Sequence, residues 1–93
     1  IITGEGRIDN QTQFDKAPAG VAAVAKELGI PCIALCGAVG ENIDTLHEIG
    51  IDAVFSLCTG PLSLNRAIKE SEVLLSEVAE QALKLFIRAK NIR

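Results

Sequence analysis

The chain has 93 residues, 48% of them hydrophobic, with a formal net charge of −3 at pH 7. That size suits one small α/β domain over residues 1–93, and the charge offers no clustered basic face for nucleic acid. No apolar run approaches the roughly 20 residues that a membrane helix requires, so neither a membrane nor a nucleic acid is expected as partner.

Ile1-Ile2 reads as the end of a buried strand. The chain opens on Ile1 rather than methionine, two residues ahead of its most polar stretch, and is expected to be a fragment of a longer protein. Residues 3–17 show neither helical nor alternating periodicity and are read as one long loop, the site segment. Loops of that length in compact domains are usually functional or disordered.

Pro18 fits the first turn of a helix. Val21, Val24, Ala25 and Leu28 fall on one helical face, and Gly29 stands at the stop position. Pro31-Cys32-Ile33-Ala34-Leu35-Cys36 is a nearly continuous apolar run, as in a strand buried on both faces. Gly37-Ala38-Val39-Gly40 reads as a small-residue turn. A helix capped near Asn42 or Asp44 follows, with Ile43, Leu46 and Ile49 as its apolar side and Gly50 as its stop.

The third strand is Ala53-Val54-Phe55-Ser56-Leu57. Ser63 caps a short helix through Ile68, with Leu64 and Ala67 also apolar. Ser71 caps the last helix, whose buried stripe is Leu74, Leu75, Val78, Ala82, Leu85, Phe86 and Ala89. Lys84, Arg88, Lys90 and Arg93 lie toward its end, where they complement the helix dipole.

Strands alternating with helices predict right-handed βαβ units: a three-layer, Rossmann-like parallel sheet flanked by helices. Ligands of such sheets bind beyond the carboxyl ends of the strands, here placed at Thr3-Gly4, Cys36-Gly37 and Leu57-Cys58. Cys32 and Cys36, about 13 Å apart on an extended strand, are beyond disulfide reach. All three cysteines read as reduced, packed thiols of a cytoplasmic protein. His47 reads as surface decoration, and Phe14 as a plug anchoring the loop.

Gly4-Glu5-Gly6-Arg7-Ile8-Asp9 begins like a dinucleotide fingerprint, but Asp9 stands where the third glycine belongs and the helix starts too late. No G-x-x-x-x-G-K-S/T motif is present either. What remains is a constellation. Gly4 and Gly6 admit a ligand close to the backbone. Arg7 can grip a carboxylate or phosphate with two parallel bonds, and Lys16 supplies a cation ahead of a helix N-terminus. Glu5, Asp9 and Asp15 can hold Mg²⁺ or accept a proton, while Thr3, Gln11 and Thr12 can orient polar substrate groups. Such a set suits phosphoryl transfer; it equally suits a solvated loop with internal ion pairs and an Asx-turn.

The run Thr3-Gly4-Glu5-Gly6-Arg7-Ile8-Asp9, continued by Gln11-Thr12, Lys16, Pro18 and Gly20-Val21, resembles the signature near the C-terminus of the bacterial type I glycerate kinases. Ile33-Ala34-Leu35 with Gly37, and the run from Gly50 to Ser56, are similar too, so the resemblance spans nearly the whole chain. It implies part of a larger two-domain kinase with its active site in the interdomain cleft. The implied reaction is ATP-dependent, Mg²⁺-assisted phosphorylation of glycerate, giving 2-phosphoglycerate. By the same carry-over, Arg7 and Lys16 meet substrate carboxylate or phosphate, Glu5 and Asp9 serve as base or metal ligands, and Thr3, Gly4, Gly6, Gln11, Thr12 and Gly37 bind substrate. Asp15 departs from the glycine usual before the lysine. A non-catalytic anion- or nucleotide-binding α/β module is the alternative. An exposed sheet edge would favour a homodimer or other self-association.

Overall fold

The computed structural model describes residues 1–14, 16–58 and 60–91, and only the backbone at positions 13, 14 and 16. It has an α/β fold, a three-stranded parallel sheet flanked by helices. Two compact units divide the chain, Ile1–Ser56 and Leu57–Arg93.

The first unit carries the sheet. Strand β1 (Ile2–Ile8) leads through a 3₁₀ segment (Asn10–Phe14) into helix α1 (Lys16–Leu28). Strand β2 (Ile33–Val39), a second 3₁₀ segment (Ile43–His47) and strand β3 (Ala53–Ser56) follow. The sheet order is β1-β2-β3, all parallel, with Ile2 opposite Ile33, Ile8 opposite Val39 and Cys36 opposite Ser56. β1 and β2 therefore run on together for three residues past the end of β3.

Three features differ from the sequence expectation. The stretch read as a loop is strand through Ile8 and a 3₁₀ turn after it. Thr3, Glu5 and Arg7 alternate with Gly4, Gly6 and Ile8, so the two-residue period is present but glycine occupies its apolar slots. Ile1 and Ile2, expected to be buried, are exposed. The supposed turn at residues 37–39 is the last part of β2, held straight by its pairing with β1. The strand ends consequently lie at Ile8, Val39 and Ser56, not at Thr3-Gly4, Cys36-Gly37 and Leu57-Cys58.

α1 begins and stops where its residues direct. Pro18 lies in the first turn, and Gly29 (φ +68°) closes a Schellman motif in which the Ile30 N–H donates to Ala25 O (2.8 Å) and the Gly29 N–H to Lys26 O (3.2 Å). The buried face, however, is Pro18, Ala22 and Ala25. Val21, Val24 and Leu28 are exposed. Small residues win because α1 approaches the chain at Gly50 (φ +111°), where a β-carbon would run into the Ala22 carbonyl.

The connection from β2 to β3 has the expected apolar side, with Leu46 buried and Ile43 and Ile49 packed on the core. It winds as a 3₁₀ helix because Glu48, Ile49 and Gly50 each bond three residues back (3.1–3.2 Å). Asn42 enters it at φ 54° without a side-chain cap. Asp52 clips the two strand entries together: its carboxylate accepts from the Cys32 N–H (2.9 Å) and its own N–H donates to Cys32 O (2.8 Å). Ile8, Ala22, Ala25, Cys32, Ala34, Cys36, Leu46 and Ile51 form the core, and Leu35 is also buried.

The second unit holds α2 (Leu64–Lys69) and α3 (Ser71–Lys90). Ser63 caps α2, its hydroxyl accepting from the Arg66 N–H (3.2 Å). Glu70, not Ser71, occupies the cap position of α3. Of the expected α3 stripe only Val78 and Ala82 are buried, while Leu75, Leu85 and Phe86 are exposed. α2 spans about 9 Å against about 30 Å for α3, so within its unit it cannot cover that face. Leu64 and Ile68 of α2 are likewise exposed.

Candidate functional site

The carboxyl end of β1 concentrates the polar geometry. Arg7 projects from the strand two residues before Asp9, and its Nε donates to Asp9 Oδ2 (3.1 Å). Asp9 Oδ1 accepts from the Gln11 N–H (2.9 Å), an Asx-turn that starts the 3₁₀ segment. Thr12 closes the turn reciprocally: its Oγ1 accepts from the Asp9 N–H (3.0 Å) and its N–H donates to Asp9 O (3.0 Å). The internal ion pair and the Asx-turn that the sequence allowed are thus both present.

These bonds hold the Asp9 carboxyl below the usual carboxylate range, first through the Gln11 N–H and then through Arg7. Asp9 is ionised at neutral pH and a weak proton acceptor. The bond to Asp9 uses Nε; among the described residues no bond from the two terminal nitrogens of Arg7 is seen.

The neighbouring strand completes the platform. The Gly40 N–H donates to Ile8 O (2.7 Å) and the Asn10 N–H to Glu41 O (3.2 Å), tying the end of β2 to the end of β1. A β-carbon on Gly40 would lie 2.5 Å from Asp9 Cβ and 2.8 Å from Arg7 Nη2. Gly40 is the contributor that sequence reasoning placed in a turn and left out of the site; the Gly-x-x-Gly spacing from Gly37 was the available signal.

The other expected site residues distribute around this centre. Glu5 is exposed and lies two residues before Arg7, on the same face of β1. Thr3 is half-buried near the start of β1, at the end away from Arg7 and Asp9, and is paired with Ala34. Gly4 packs on the Leu35 carbonyl, and Gly6 has open space where a side chain would be. A β-carbon on Gly37 would meet Gly6 O at 2.8 Å, so this glycine serves the close passage of β1 beside β2. Gln11 is exposed, whereas Thr12 is 1% exposed and its hydroxyl braces the turn. Lys16 starts α1, with its side chain outside the described residues. The assignments made for Asp15 and for the Phe14 side chain also lie outside them.

His47 is exposed, 3.9 Å from Asp52 Oδ1. None of the three cysteines is in a disulfide; Cys32 and Cys36 are buried, which pushes both thiols up. Among the described residues no three acidic, histidine or cysteine side chains converge on a metal position, and no helix is long and apolar enough to cross a membrane.

Comparison with known proteins bears directly on this region. The glycerate kinase of Bacillus cereus is 57% identical over 72 residues, 77% of this chain and 19% of its own. The glycerate kinase of Halalkalibacterium halodurans is 47% identical over 79 residues, 85% of this chain and 21% of its own. The glycerate 2-kinase of Escherichia coli is 45% identical over 69 residues, 74% of this chain and 18% of its own. The chain thus spans about a fifth of the length of the curated relatives it matches. A family model described as the glycerate kinase family matches residues 1–87, which take in the first unit with the whole Arg7–Asp9 platform and most of the second. With all but the last six residues inside that match, the chain belongs to the glycerate kinase family.

Proposed function

We propose that this chain is the part of an ATP-dependent glycerate kinase that presents Arg7 to the substrate, and that the reaction transfers a phosphoryl group to the 2-hydroxyl of glycerate. The family match over residues 1–87 carries this reading, because it encloses a pre-set arginine at the carboxyl edge of a parallel sheet. The name of the Escherichia coli relative supports the 2-position.

Arg7 grips the carboxylate of glycerate, or a phosphate, with its terminal nitrogens. Asp9 is a positioning residue. Its lowered proton affinity makes it a poor general base, which works best near the operating pH. Nor is Asp9 the better metal ligand, because Arg7 already sets a positive charge against it. Of the pair Glu5 and Asp9, Glu5, exposed on the same face as Arg7, is the carboxylate better placed to meet a Mg²⁺–phosphate group. When bound, Mg²⁺ supplies charge neutralisation across the transferring phosphoryl group. Lys16 is assigned to the same anion, ahead of the N-terminus of α1.

The test is turnover of ATP and glycerate by the intact enzyme carrying this segment, with the phosphorylated position read by ³¹P and ¹³C NMR. Arg7→Ala should lower kcat/KM by about 10²–10³-fold with little change in melting temperature. The 93 residues alone should bind weakly and not turn over. Wild-type kinetics in Arg7→Ala, or ligand binding without turnover by the intact protein, would overturn the proposal.

A further inference from the structure

We infer that Gly40 is a positioning residue for Arg7: its bare α-carbon is the floor on which the guanidinium and Asp9 are seated. The inference rests on the reading of Arg7 as the substrate grip.

Three observations converge on it. The position a β-carbon would take is already filled, with Arg7 Nη2 at 2.8 Å, Arg7 Cζ at 3.4 Å and Asp9 Cβ at 2.5 Å. Gly40 has no positive φ, so alanine meets no backbone objection and its effect must come through these neighbours. Finally, the segment cannot back away. The Gly40 N–H is bonded to Ile8 O and the carbonyl of Glu41 is bonded to the Asn10 N–H, one on each side of the gap. Asp9 is fixed by Gln11 and Thr12, whereas Arg7 is the exposed end of a flexible side chain. A methyl at position 40 therefore presses on the fixed Asp9 Cβ, its nearest neighbour, as well as on the guanidinium; of the two, Arg7 has room to move away, so it leaves its seat.

This assigns a reason to glycine at Gly40 distinct from that at Gly37. A side chain at Gly37 would strike the Gly6 carbonyl within the sheet; one at Gly40 would strike the guanidinium presented to substrate. The first glycine serves strand pairing, the second serves the site.

The test is a double-mutant cycle in the intact enzyme, comparing wild type, Arg7→Ala, Gly40→Ala and the double variant in KM for glycerate, kcat and melting temperature. Arg7→Ala and Gly40→Ala should each raise KM by about 10–100-fold, the range of one charge-assisted bond, with a smaller change in kcat. Adding Gly40→Ala to Arg7→Ala should change KM by less than about twofold. If Gly40→Ala alone fails to fold, the double variant decides: recovery of folding shows that the methyl acts through Arg7, and failure of both shows that Gly40 is only structural. Multiplying effects in the cycle would sink the inference while leaving Arg7 as the grip. Wild-type KM in Arg7→Ala would sink the functional reading, and the kinetic role of Gly40 with it.

Discussion

Four glycines allow the backbone conformation at Gly50 to be separated from its packing by a graded alanine series. Gly50 combines φ +111° with an Ala22 carbonyl standing where the β-carbon would go. The positive φ costs an L-residue about 1–2 kcal/mol, and forcing a methyl into a filled contact about 1–3 kcal/mol. Gly50→Ala should therefore lose about 2–5 kcal/mol, a large share of a small domain's stability of about 5–15 kcal/mol. Gly29 has φ +68° but nothing within 4 Å of its β-position, so its alanine variant should lose only the conformational part, about 1–2 kcal/mol. Gly20, inside α1 with open space around it, should gain about 0.5–1 kcal/mol on becoming alanine. Gly60, also with open space at its β-position, should move by less than about 0.5 kcal/mol. The chain holds no Trp or Tyr, so urea unfolding is best followed by far-ultraviolet circular dichroism. If Gly50→Ala costs no more than Gly29→Ala, the close approach of α1 to Gly50 is not real and the small-residue face of α1 needs another cause.

Two further expectations concern buried groups. Thr12→Val keeps the shape but removes the acceptor of the Asp9 N–H, and should lower stability by about 1–3 kcal/mol; an unchanged urea midpoint would show that the brace carries nothing. Burial raises the Cys32 and Cys36 thiols above their ordinary value of 9.0. Their neutral form is favoured in the folded state, so this contribution is full below about pH 9 and is lost as pH rises through the folded values. Cys58, half-buried, should react with a thiol reagent at pH 8 well before the other two; simultaneous labelling of all three would contradict the packing.

Much of the architecture was legible because its signals are local. Pro18 and Gly29 bracket α1, Ser63 caps α2, and the Ile33–Cys36 run reads as a strand covered on both faces, all for reasons that a few neighbouring residues contain. What escaped depended on neighbours remote in sequence. Glycine in a strand carries no apolar signal, so β1 looked like loop until its pairing with β2 was in view. Val21, Val24 and Leu28 looked like the buried face of α1 because hydrophobicity alone cannot report that Gly50 draws the helix in on its alanines. The site divides the same way. Arg7 and Asp9 stand out by their chemistry, and an Asx-turn is among the readings their polar run allows. The burial of Thr12 and the seat at Gly40 required the fold.

The ion pair between Arg7 and Asp9 stands at the surface, where such pairs add little to folding because water and salt compete for both partners. In the proposed role of Arg7 as the substrate grip, its worth lies in entropy at the moment of recognition. A free arginine surrenders much rotational freedom when it meets an anion. Here a carboxylate held by the backbone already takes up part of that freedom, before any ligand arrives. The same bond that is nearly silent in an unfolding curve therefore sharpens affinity. Added salt should erode that advantage long before it unfolds the chain.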